Sequence, residues 1–101
     1  FKGEILRFSK GNLKVPHIGW NNLIFKNKDC PLFKGISDGA YVYFCHSFYP
    51  KVYDKEIVCA TTRYGIEFVS VIQRLNIFGL QFHPEKSQSV GLKIIKNFVK
   101  L

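Results

Sequence analysis

The hydrophobic period of this chain changes once near its C-terminal end, and that change limits the fold more than any other feature. Ile77 to Phe82 reads as a strand, whereas from Ser87 onward Leu92, Ile95, Phe98 and Val99 recur at helical spacing, joined by Ile94 and Leu101. A strand must therefore give way to an amphipathic helix within Gly79-Leu80-Gln81-Phe82-His83-Pro84-Glu85-Lys86-Ser87. Pro84 restricts its own φ and biases His83 toward extended backbone. Side chains two apart on an extended segment share a side, so His83 and Glu85 can lie together where the strand ends. An imidazole beside a carboxylate is the base and orienter of a nucleophilic triad. A surface His-Pro-Glu turn has the same spacing and is the plainer alternative.

Upstream, the chain reads mostly as strands. Residues 4–8 form a short one, and Gly11-Asn12 is a turn signal. Leu13 to Phe25 is punctuated by Pro16 and Gly19, with Trp20 to Phe25 extended. Lys26 to Asp29 is a polar loop, Pro31 to Ile36 one helical turn closed by Gly35, and Ser37-Asp38-Gly39 another turn. Ala40 to Phe48 is β-branched and aromatic, hence a strand, which Pro50 should end. Ile57 to Tyr64 and Ile66 to Arg74, joined at Tyr64-Gly65, should pair as an antiparallel hairpin. Asn76 turns the chain again. Ser87 or Ser89 can cap the helix, and Lys96 and Lys100 complement its C-terminal dipole.

The 101 residues suffice for one small domain, and 47% hydrophobic content favours a globular chain. No apolar run is long enough to span a bilayer, so no membrane association is expected. The start, Phe1-Lys2-Gly3-Glu4, has charge where a signal peptide would become apolar. Methionine is absent throughout, and the chain reads as a fragment or processed piece. Cys30, Cys45 and Cys59 are odd in number and lack CxxC spacing, which argues against a disulfide framework and a metal site. A reducing, cytoplasmic setting is the simpler expectation. The net charge of +8 comes from scattered lysines, a solvated surface rather than a nucleic-acid footprint.

None of the cysteines has the glycine-flanked strand-to-helix setting of a nucleophile elbow. Cys30 precedes a proline in a loop, while Cys45 and Cys59 lie inside strands, where cysteine usually acts as a small buried hydrophobe. His46-Ser47-Phe48-Tyr49 ends a strand and reads equally as a polar strand end. Pro16-His17-Ile18-Gly19-Trp20-Asn21 holds the sole tryptophan and reads equally as a core aromatic on a bulged strand.

Together, Pro16 to Asn21, Tyr43-Phe44-Cys45-His46-Ser47-Phe48, Asn76 to Ser87, Gly91-Leu92 and Asn97-Phe98 resemble class I (triad) glutamine amidotransferases. Gln81-Phe82-His83-Pro84-Glu85 marks the wider class. The other segments are most similar to the glutaminase subunits of imidazole glycerol phosphate synthases. The resemblance runs almost end to end. It implies an α/β fold of which residues 1–101 form the C-terminal half, with mostly antiparallel or mixed strands and a C-terminal amphipathic helix. It also implies hydrolysis of glutamine to glutamate and ammonia by a Cys-His-Glu triad, with no cofactor. The ammonia would pass to a (β/α)8-barrel cyclase partner in histidine biosynthesis.

Residue by residue, the resemblance makes His83 the base and Glu85 its orienting carboxylate. It gives Ser47 and Phe48 to the segment whose backbone holds glutamine, and turns Trp20, Asn21, Tyr43 and Lys86 toward the barrel partner. Cys45 stands where valine is usual and Phe48 where tyrosine is common, so a hydroxyl role at position 48 is lost. The family's nucleophile elbow, oxyanion loop and parallel strands belong to the first half, so residues 1–101 alone should be inactive. Half of such a sheet should expose an edge and an apolar face, favouring self-association or the presence of the other half. A paralogue feeding a surface-sugar amidotransferase and a non-catalytic binding module on the same scaffold are the alternatives.

Overall fold

The computed structural model describes residues 3–8 and 15–101, and the Gly11-Asn12 turn lies outside them. Eight strands and one α-helix occur among the described residues. They are β1 (Gly3–Arg7), β2 (His17–Asn22), β3 (Ile24–Phe25), β4 (Tyr41–His46), β5 (Phe48–Val52), β6 (Val58–Tyr64), β7 (Ile66–Arg74), β8 (Ile77–Leu80) and α1 (Gln88–Val99). They form three sheets, β1-β5, β2-β4 and β3-β6-β7-β8, with every recorded pair antiparallel. The strand-rich α/β unit with a closing helix expected from the sequence is what the chain adopts.

The hairpin forms as the pattern required. Tyr64 lies opposite Ile66, and Gly65 between them takes a positive φ of 74°, a conformation that glycine adopts without steric cost. The Pro31 segment is a single 3₁₀ turn, Pro31–Phe33, and Gly35 follows it, also at positive φ.

Several strand boundaries differ from expectation: β8 ends at Leu80 rather than Phe82, and Ile57 closes a 3₁₀ turn instead of opening β6. Trp20 to Phe25 is not continuous: the chain leaves one sheet after Asn22 and joins another at Ile24, with Leu23 fully buried at the step. Pro50 does not end its strand. The chain breaks at Ser47, and β5 continues through Pro50, which pairs with Ile5. A proline's missing N–H is tolerated at a sheet edge, and β1-β5 is a two-stranded ribbon that consists only of edges.

The core is an aromatic cluster. Phe8 touches the rings of His17, His46, Tyr49, Tyr64 and Phe68 at centroid distances between 4.9 and 6.2 Å. Phe44, Val42, Leu23, Leu32, Val71 and Ile94 extend it. Full burial of each such side chain is worth about 1.5–3 kcal/mol.

Helix α1 docks through Gly91 and Ile94, its buried residues. Asn97 donates to the carbonyls of Leu32 (2.8 Å) and Lys34 (2.9 Å), clamping the helix to the 3₁₀ turn. The apolar stripe is only partly used, because Leu92, Phe98, Val99 and Leu101 remain exposed. A helix with two apolar sides can place just one of them on the sheets described here.

Gly91 sits where α1 crosses the Pro84 turn, and a methyl group there would overlap the Pro84 carbonyl. Alanine gains up to about 1 kcal/mol of helix propensity. Overpacking against backbone that cannot swing away costs about 1–3 kcal/mol. Gly91→Ala should therefore lower the thermal unfolding midpoint, whereas a rise would show that the turn yields.

Candidate active site at the β8–α1 junction

After β8 the chain bends at Gln81 and Phe82, is extended at His83 (φ −97°, ψ 100°) and then tightens into the 3₁₀ turn Pro84–Lys86. Two hydrogen bonds fix this junction to β4, and a third closes the junction on itself. The His83 N–H donates to the Tyr43 carbonyl (3.0 Å). The buried Ser87 hydroxyl donates to the His83 carbonyl (2.6 Å) and accepts from the Tyr43 N–H (2.9 Å). Ser87 occupies the N-cap position of α1, yet its hydroxyl makes no cap bond. Its oxygen is committed to β4 instead, a tertiary use that local sequence could not specify.

His83 Nδ1 lies 3.4 Å from Glu85 Oε1, with both side chains partly solvent-exposed. The i, i+2 pairing expected from sequence is present, but it is not made on extended backbone, because Glu85 lies within the 3₁₀ turn. The distance exceeds that of a good hydrogen bond, as catalytic contacts often do before substrate binds. With Nδ1 turned to the carboxylate, Nε2 is the atom that could meet a thiol or hydroxyl proton.

The Ser47–Phe48 segment is held beside this junction by side chains that the sequence reading did not assign to the site. Gln81 Nε2 donates to the Phe48 carbonyl (2.9 Å) and lies 3.0 Å from His46 Nδ1. His46 Nδ1 is 2.8 Å from the same carbonyl, and His46 Nε2 is 2.9 Å from His17 Nδ1. His17 is buried and stacked between Phe44 (4.9 Å) and Tyr64 (3.9 Å). His17 and His46 lie directly opposite each other in the β2-β4 ladder. Strand alternation was the available signal, since both histidines fall on the same side as buried Phe44.

Burial, reinforced by the neighbouring His46, pulls His17 from its ordinary 6.5 down to about 4. Burial also lowers His46; the Phe48 carbonyl opposes that shift and nearby His83 adds to it. Near pH 7 both rings are thus neutral, each with one N–H and one acceptor nitrogen.

The four residues expected to face a partner divide between two sides. Trp20 and Tyr43 lie opposite each other across β2-β4, with ring centroids 5.9 Å apart. An open groove lined by Trp20, Tyr41 and Ser87 to Val90 runs beside them to the start of α1, next to exposed Lys86. Asn21 does not join that face. Strand alternation turns it to the opposite side, where its amide donates to the Arg63 carbonyl (2.8 Å) and approaches His17 Nε2 (3.4 Å). The cysteines are no better placed for attack. Cys30 and Cys59 are buried, and contact with Cys30, together with burial, pushes the Cys59 thiol up. Cys45 is exposed in mid-strand. Among the described residues no helix is long and apolar enough to cross a membrane.

The buried neutral histidine has a pH signature. In the unfolded chain His17 takes a proton near pH 6.5, but in the folded chain it resists until about pH 4. Between those values the unfolded state binds more protons, so stability is full above the upper value and falls as pH drops toward the lower one. Thermal unfolding followed across that window should show this decline, and His17→Phe should make it shallower.

Comparison with known proteins agrees with this geometry. The model of the family described as glutamine amidotransferase class-I matches residues 3–101. An imidazole glycerol phosphate synthase subunit HisH from Caldanaerobacter subterraneus is 54% identical over 98 residues, covering 97% of this chain and 47% of that protein. The subunit of the same name from Methanosarcina acetivorans is 54% identical over 102 residues, covering 99% of this chain and 50% of that protein. The one from Methanocaldococcus jannaschii is 50% identical over 100 residues, covering 99% and 50%. The chain thus spans about half the length of the curated relatives it matches. A family match over nearly every residue, with a histidine and a carboxylate paired at the strand-to-helix junction, places this chain in the class-I glutamine amidotransferase family.

Proposed function

We propose that residues 1–101 are the C-terminal portion of a glutaminase subunit of an imidazole glycerol phosphate synthase, acting in histidine biosynthesis. The observation that carries this reading is the His83–Glu85 pair, 3.4 Å apart on a turn tied to β4. A cysteine from a preceding half would supply the nucleophile, since none of Cys30, Cys45 and Cys59 has the setting for it. Two features support a covering half: the exposed apolar side of α1, and the open cavity of about 220 Å³ between β8 and α1, lined by Phe78, Leu80, Ile94 and Phe98 among others.

In the proposed reaction the cysteine thiol gives its proton to His83 Nε2 as its sulfur attacks the glutamine carboxamide carbon. Glu85 holds the ring through Nδ1 and stabilises the imidazolium. Collapse of the tetrahedral intermediate breaks the C–N bond. The proton held on Nε2 passes to the leaving nitrogen, which departs as ammonia. Water, deprotonated by the same nitrogen, then hydrolyses the thioester to glutamate and restores the thiol. The Ser47–Phe48 backbone would hold glutamine. Trp20, Tyr43 and Lys86 would face a barrel cyclase that receives the ammonia; Asn21, on the other side of β2, would act from behind that face.

The complete subunit, assayed with its cyclase partner for glutamate release from glutamine, tests this reading. His83→Ala should lower turnover by about 10²–10⁴-fold, the usual worth of a positioned base. Undiminished turnover would remove His83 from the mechanism. The 101-residue chain alone should release no glutamate, and release abolished by Cys45→Ala would overturn the proposed division of the triad.

A further inference from the structure

The amide of Asn21 has a fixed orientation. Its oxygen accepts from the Asn22 N–H (2.8 Å) and its nitrogen donates to the Arg63 carbonyl (2.8 Å). The amide nitrogen is therefore what faces His17 Nε2, and that ring nitrogen must act as an acceptor. A neutral His17 then carries its proton on Nδ1 and donates it to His46 Nε2. His46 in turn carries its proton on Nδ1 and donates it to the Phe48 carbonyl, where the Gln81 amide also donates; the Gln81 nitrogen, although 3.0 Å from the same Nδ1, then makes no hydrogen bond to the ring, since both groups are donors. Each bond dictates the next, from a strand beside the Trp20–Tyr43 face to the backbone of the Ser47–Phe48 segment.

We propose that His17 and His46 form a positioning relay, in which Asn21 sets the tautomer of His17, His17 sets that of His46, and His46 with Gln81 sets the Phe48 carbonyl. Neither imidazole needs to touch the reacting atoms, so both are positioning residues. The relay gives Asn21 a route to the substrate-holding backbone despite its facing away from Trp20 and Tyr43. Only the assignment of Ser47–Phe48 to glutamine rests on the glutaminase reading; the tautomers do not.

Two measurements on the complete subunit test this. With ¹⁵N-histidine labelling, long-range proton–nitrogen correlations near neutral pH should place the proton on Nδ1 of both residues. A proton on Nε2 of His46 would overturn the relay. In glutamine kinetics with the partner present, His46→Gln removes the donor at the Nδ1 position, whereas His46→Asn keeps an amide N–H close to it. The glutamine KM should rise about threefold to tenfold in His46→Gln, the worth of one net hydrogen bond, with kcat less affected. It should rise less in His46→Asn. His17→Phe keeps the ring stack but removes the tautomer constraint, and it should raise KM in the same direction. If it does not fold, the two His46 variants still decide. A purely structural role would lower the unfolding midpoint of the His46 variants alike and leave KM unmoved, and that result would overturn the proposal. Absence of glutaminase activity in the wild-type subunit would instead sink the glutaminase reading, since the tautomer measurement needs no turnover.

Discussion

Desolvation of the His17–His46 pair is the constraint around which the structure is arranged. An imidazole removed from water costs free energy unless each nitrogen finds a partner, and a charged one costs far more. Here Phe8, Phe44, Tyr64 and Phe68 surround the rings, and the burial that stabilises those aromatics keeps the histidines neutral. Neutral rings have one donor and one acceptor each, so their partners must be arranged in a single direction. The two histidines meet in the β2-β4 register, and Asn21 links them to β6 through the Arg63 carbonyl. The aromatic core and the hydrogen-bond chain are thus one structure.

A second constraint ties the turn after β8 to this core. Ser87 bridges the backbone of Tyr43 and His83, and Gly91 lets α1 approach the Pro84 carbonyl. The paired His83 and Glu85 ride on a turn held from two sides, while their side chains stay partly open to solvent. This combination suits proton transfer: rigid backbone sets the direction of the ring, and open space leaves room for a substrate and a second element. On the far side of β4, Trp20 and Tyr43 pack edge to face beside the groove toward Lys86.

Much of this was legible locally. The hairpin around Gly65, the period change before α1 and the His83–Glu85 pairing all follow from interactions within a few residues. The features that were not legible depend on what another segment offers. Pro50 remains in a strand because β1 lies beside an edge where its missing N–H is tolerated. Ser87 forgoes capping because β4 presents a backbone N–H and the His83 carbonyl is in reach. Asn21 faces the core because alternation along β2 is counted from buried His17, not from its neighbour Trp20. Likewise, helical spacing identified the apolar residues of α1 from Leu92 onward but not which of them would find a surface, and it passed over Val90, which packs against the core.

By itself the sequence determined the element types, the junction chemistry and the family pattern. These are set by periodicity, by the restrictions of proline and glycine, and by side chains held a fixed short distance apart. Only the tertiary structure decided which nitrogen of His17 and of His46 is free to accept, which face Asn21 serves and how the Phe48 carbonyl is held. Those outcomes depend on groups far apart in the chain, such as Asn21 with Arg63 and Gln81 with Phe48, brought together by burial. A sequence pattern can place a histidine on an apolar face. Its proton is assigned only when every neighbour competing for it is in position.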